Sequence, residues 1–157
     1  MSYFREARNV ELSLLYFFET NLATDWPGVT LVKAFLDAYD SNPPVISVGI
    51  SVTGHNRKEI GSTALFNNYI FDVDIMARSD GQRIDLASWV VDTVLNGCTY
   101  YTHSHNSGDS SILDRVSAGK IHVLDIAENS HLFFGEESTD VHDKYRQFIS
   151  LIVRKDI

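Results

Sequence analysis

The side chains whose types and spacing could do chemistry are Asp72 with Asp74 and His103 with His105. Asp72 and Asp74 stand two apart in N-N-Y-I-F-D-V-D-I-M, so they project from one face of a strand. That is the geometry a carboxylate pair needs for acid–base work or for holding a hard cation. The other face, Tyr69, Phe71, Val73 and Ile75, is wholly apolar, so the simpler expectation is that the carboxylates face water or a neighbouring subunit. His103-x-His105, with Asp109 close behind, could begin a metal site. It falls in T-Y-Y-T-H-S-H-N-S-G-D-S-S, residues 99–111, a stretch without period and rich in turn residues that reads as a surface loop with solvated histidines. His55, His122, His131 and His142 are isolated, and no further ligands follow at metal-site spacing. G-x-S-x-G, a Gly-rich phosphate loop, H-E-x-x-H and C-x-x-C are all missing. The expectation is therefore no catalytic residue, no bound metal and no cofactor. A small metal-dependent enzyme using Asp72, Asp74 and the His103/His105 loop is the competing class, and a ligand-binding α+β domain is a third.

The Asp pair belongs to a strand–turn–helix unit over residues 64–96. Its strand ends in R-S-D-G-Q-R, where Ser79 and Gln82 form a capping-box pattern, Asp80 adds a first-turn carboxylate and Gly81 allows a bend. Ile84, Ala87, Val91, Val94 and Leu95 make the helix stripe, and Asn96-Gly97 stops it. Arg83 opposes the helix dipole and so requires an acidic partner, Asp80 or another chain, which makes Asp72, Asp74, Asp80 and Arg83 candidate subunit-interface residues. Upstream, residues 7–22 read as an amphipathic helix through Leu12, Leu15, Tyr16, Glu19 and Leu22, with Val10, Leu14, Phe17 and Phe18 widening the apolar arc, broken by T-D-W-P-G. Residues 29–35 alternate like a strand, although 31–39 also fit a short helix, and V-I-S-V-G-I-S-V-T after Pro43-Pro44 is a second strand. The polar connection 54–62 makes a hairpin into the Asp-bearing strand. Its His55, Asn56, Arg57, Lys58 and Glu59 are the candidate partner-binding residues, because loops on rigid hairpins commonly carry binding. Strand character returns over 119–127 and 143–154, the latter with Tyr145, Gln147, Ile149, Leu151 and Val153 on one face. The fold expected is α+β, a mostly antiparallel sheet of about five strands with two helices on one face.

With 157 residues and no linker, repeat or low-complexity tract, residues 1–157 are expected to form a single domain. A lone cysteine, Cys98, excludes an intrachain disulfide and is expected to pack in the core. The first residues lack a leader pattern and no apolar run nears the roughly 18 residues that span a bilayer, so a soluble protein made in the cytoplasm is expected. The net charge of −8, with basic residues scattered, argues against gripping nucleic acid.

The order of helix, W-P-G break, strand, P-P-V-I-S-V strand, hairpin into F-D-V-D-I-M-A-R-S-D-G-Q-R-I-D-L-A, helix and closing strands resembles the tail-terminator or tail-completion (neck) proteins of tailed bacteriophages. The match spans most of the chain in element order and is sharpest over residues 77–87. The resemblance implies a virion structural subunit assembled in the host cytoplasm, forming a homo-hexameric ring at the neck. In that family the ring terminates the tail tube and docks to the head-side connector, and DNA passes through its lumen. An acidic lumen would repel the DNA backbone and let it slide. The loop at 99–111 departs from the family pattern in its length and its histidines.

Overall fold

The computed structural model describes residues 2–33, 35–57, 60, 61, 63, 65–131 and 145–156. Its elements run β1 (Ser2–Tyr3), α1 (Glu6–Asp25), β2 (Thr30–Val32), a 3-10 turn (Phe35–Asp40), β3 (Val45–Arg57), β4 (Leu65–Met76), α2 (Asp80–Val94), β5 (Cys98–His105), β6 (Ile112–His131) and β7 (Arg146–Lys155). The fold is α+β, and the strands form one sheet in the order β1-β5-β6-β7-β4-β3-β2. Only β2 and β3 pair in parallel; the other neighbours are antiparallel.

Period-two alternation makes β4 and β7 the centre. They pair from Tyr69 opposite Val153 to Met76 opposite Arg146. Tyr69, Phe71, Val73 and Ile75 of β4 and Ile149, Leu151 and Val153 of β7 are all buried, so the apolar face read from the sequence is the inner one. Ile46 and Val48 of β3, Ile121 of β6 and Cys98 and Tyr100 of β5 extend this face. The same cluster takes in Val10, Leu14, Phe18 and Leu22 from α1 and Leu86, Ala87, Val90 and Val94 from α2. The helices are also tied to each other, Trp89 Nε1 donating to Asp25 Oδ2 at 2.9 Å. On the opposite face Val45 and Met76 pack against Ala38 of the 3-10 turn as a second, small cluster.

Several expectations are corrected. The sheet has seven strands, not about five. β1 and β2 are two and three residues long, too short to carry a period. β5 occupies residues 98–105, where a loop was expected, because its inward residues include polar ones that bond to α1. Residues 29–35 divide, 30–32 as strand and 35–40 as the 3-10 turn. β6 is far longer than 119–127. The inward faces of both helices are also rotated from the expected stripes. In α1 the core stripe is Val10, Leu14, Phe18 and Leu22, and in α2 it includes Arg83, Leu86, Ala87, Val90 and Val94, leaving Ile84 and Leu95 exposed. A wide apolar arc does not say which residues lie at its centre; the docking angle does.

The α2 termini follow the sequence closely. Ser79 Oγ accepts from the Gln82 amide at 3.2 Å, while Gln82 Oε1 accepts from the Arg78 amide at 2.8 Å. Gly97 sits at φ 74°, its amide donating to Val94 at 2.8 Å, and a Cβ there would lie 2.1 Å from the Ile121 carbonyl oxygen. Gly81, in contrast, is an ordinary helical residue without a positive φ.

Two stability outcomes follow from this packing. Phe71→Ala should cost about 3–5 kcal/mol in denaturant melts; a loss below about 1 kcal/mol would mean that the ring is not in a tight core. Gly97→Ala should cost more than about 1 kcal/mol, since strain and the contact with Ile121 act together.

Candidate functional site

His103 is fully buried in β5 rather than solvated in a loop. Its Nε2 accepts from Arg115 Nε at 3.2 Å, and a guanidinium can only donate, so the proton sits on Nδ1 and points to Asn9 Oδ1 at 3.1 Å. Asn9 Oδ1 also accepts the His103 amide at 3.0 Å, and Ser13 Oγ accepts the Tyr101 amide at 2.9 Å. Burial lowers the His103 pKa, with the charges of Arg115 and Arg8 adding to the effect. Arg115 itself lies 3.7 Å from the Tyr16 ring centroid, a cation–π contact that ties β6 to α1. Both ring nitrogens of His103 are thus engaged by protein groups. His105 instead stacks on Phe4, centroids 4.2 Å apart, and Asp109 Oδ1 accepts from the amide and hydroxyl of Ser111 within the turn. The three potential ligands do not converge. The sequence signal for this network is Asn9 and Ser13, small polar residues spaced four apart on a helix flank that otherwise reads apolar.

Asp72 and Asp74 lie on the sheet face opposite the main core. Asp74 is buried and accepts from Arg146, 2.8 Å from its Nη2. Burial raises the Asp72 pKa, Ser51 opposes it by hydrogen bonding and the Asp74 charge adds to it. With Lys33, Ser47 and Gly49 they line an open depression of about 380 Å³ whose described lining contains no histidine. Arg83 finds the expected Asp80, Nη2 to Oδ1 2.8 Å, and also donates to Gln147. Arg83 is buried, so it joins α2 to β7 within the chain. Among the described residues no group of three or more His, Cys, Asp or Glu could hold a metal ion.

At the hairpin, β3 runs on to Arg57, so His55, Asn56 and Arg57 lie in the strand, while Lys58 and Glu59 fall outside the described residues. His55 Nδ1 is 2.6 Å from Asn67 Oδ1, and Asn67 and Tyr69 both donate to Glu6 Oε1, at 3.0 and 2.7 Å. Burial would raise the Glu6 pKa, but those two hydrogen bonds, with Lys155 and His55, leave it below its ordinary value.

The feature that sequence reasoning missed is β6. Its first half pairs with β5, from Ile112 opposite His105 to Ile121 opposite Cys98, and its second half with β7, from Ile121 opposite Lys155 to His131 opposite Arg146. Among the described pairings, only Ile121 has a strand partner on both sides. Among the described residues, 112–120 have no strand on the β7 side and 122–131 have none on the β5 side. The changeover is built by Asp156, whose amide donates to the Lys120 carbonyl at 2.9 Å and whose Oδ1 accepts the Lys120 amide at 3.0 Å. Gly119, at φ 139°, makes room, since a Cβ there would meet Asp156 Oδ1 at 2.6 Å. Ile112, Leu113, Val116 and Leu124 are 44, 57, 54 and 50 % exposed. Beside the first half, a groove of about 560 Å³ is walled by Leu12, Leu15, Trp26 and Leu31, with Ile112 and Arg115 at β6. Leu12, Leu15, Tyr16 and Glu19 of the α1 stripe expected to face the sheet therefore line this groove, while Leu22 borders it and also packs in the main core.

Two outcomes test these surroundings. Because the native His103 pKa is lowered, the unfolded chain takes up a proton that the fold refuses, so stability is lost as pH falls from about 6.5 toward the native value. Melts against pH should show this slope in the wild type and a weaker one in His103→Gln. Burial pushes the Cys98 thiol up to about 12, so it should react with a thiol reagent at neutral pH only on unfolding. Comparison with protein-family models finds no match, and no curated protein matches the sequence.

Proposed function

We propose that this chain is a structural subunit of the neck of a tailed bacteriophage, forming a homo-hexameric ring that ends the tail tube and joins it to the head-side connector. The observation that carries this reading is β6, whose half-edges have no strand partner among the described residues and whose exposed apolar side chains suit a subunit that completes its sheet in an assembly. The element order shared with neck proteins supports it. So does the charge, 21 acidic residues against 13 basic, which suits a lumen through which DNA slides. On this reading both helices lie on one face of the sheet, and the Arg57 end of the β3–β4 hairpin meets the adjoining ring. The Asp72–Asp74 face, neutralised in part by Arg146, then serves packing rather than chemistry.

Native mass measurement tests the ring: a hexamer, free or on tail tubes, is expected, and a monomer at every concentration and in the presence of tubes would refute it. Replacing Arg57 and Lys58 by Ser should lower the yield of joined heads and tails, with the melting temperature of the variant measured alongside to separate lost docking from lost folding. Wild-type yield would move the docking contact elsewhere.

A further inference from the structure

We infer that β6 closes the ring by serving two different neighbours: residues 112–119 of one copy add to residues 122–131 of the next. The inference rests on the ring reading and names the surface that makes it. The two half-edges that have no strand partner among the described residues lie on opposite sides of one strand, so they cannot satisfy each other within a chain. In a second copy each finds the other. The contact is head-to-tail, and such contacts generate rings when the rotation closes.

Three observations favour a second copy as the occupant. The first half carries Arg115 and Lys120 against a single carboxylate, Asp114, whereas the second carries Asp125 and Glu128 and no Lys or Arg. The halves thus differ in the sign of their net charge, although Arg115 is already engaged by His103 and Tyr16 within the chain and leaves Lys120, at the changeover, as the basic group of the first half. Both also present apolar side chains to solvent, Ile112, Leu113 and Val116 on one and Leu124 on the other, which a stable strand addition would cover. Finally, no proline interrupts residues 112–131 and the one lysine, Lys120, stands at the changeover, so two of the usual devices that blunt an edge are missing, while register shifts at Leu113, Ala118 and Leu124 bend the strand locally.

Val116→Glu and Leu124→Glu test the pairing, because both positions are exposed and neither substitution removes a core contact. Each variant alone should lose the ring and run as a monomer with an unchanged melting temperature, since every interface requires both halves. Mixed in equal amounts they should form a one-to-one pair and grow no further: the intact second half of Val116→Glu meets the intact first half of Leu124→Glu, and the two altered halves block the ends. Wild-type association should weaken as salt rises. Rings persisting in either single variant would overturn the edge assignment while leaving the ring reading intact. Monomeric variants that fail to pair on mixing would overturn the head-to-tail arrangement and point to another protein's strand on β6. A wild type that never associates would overturn both. Hydrogen exchange on the wild-type ring needs no substitution: amides in both halves should slow together on assembly, and an unchanged rate in either half would refute the proposal.

Discussion

The burial of one face of the β4–β7 pair is the constraint on which the rest of the molecule depends. Tyr69, Phe71, Val73 and Ile75 oppose Val153, Leu151, Ile149 and Gln147 in register, and a shift of one residue would turn this whole set to the other face. Apolar residues of both helices, among them Phe18, Leu86, Val90 and Val94, join the buried cluster built on this face. Polar groups on the inner side are tolerated where they are bonded. Tyr69 donates its hydroxyl to Glu6, and Arg83 and Gln147 satisfy each other at the end of β7. Burial and the neighbouring Glu6 both push the Tyr69 hydroxyl pKa upward, so it stays a donor at any ordinary pH.

The second consequence is geometric. β7 pairs with β4 along its length, yet β6 is twice as long as β7 and continues beyond it to pick up β5. The sheet therefore changes partners at Ile121, where Gly97, Gly119 and Asp156 meet. Two glycines at positive φ within contact of one crossover show how little space a side chain would have there. The half-edges of β6 are a direct product of that crossover, which makes the proposed assembly surface a property of the fold rather than of a motif.

The buried His103 shows why composition misled over residues 98–105. Polar residues imply solvent only when nothing inside can bond them, and here Asn9 and Ser13 of α1 and Arg115 of β6 supply the partners. A pairing 94 residues apart in sequence, such as that of Asn9 with His103, leaves no local trace. The same long reach explains the Asp pair: alternation placed Asp72 and Asp74 on one face, but only the pairing of β4 with β7 brought Arg146 to Asp74.

By itself, the sequence determined whatever repeats over a few residues: the α1 and α2 spans, the Ser79 cap, the Gly97 stop, the faces of β4 and β7 and the need of Arg83 for an acidic partner. These depend on backbone period, capping chemistry and side chains three or four apart, all encoded locally. Tertiary structure alone decided which residues of each helix arc lie at its centre, that 98–105 is a strand, where β6 begins and that each half of it has a strand partner on one side only among the described residues. Those features are set by docking angles, by hydrogen bonds between distant segments and by mismatched strand lengths, and no local period records any of them.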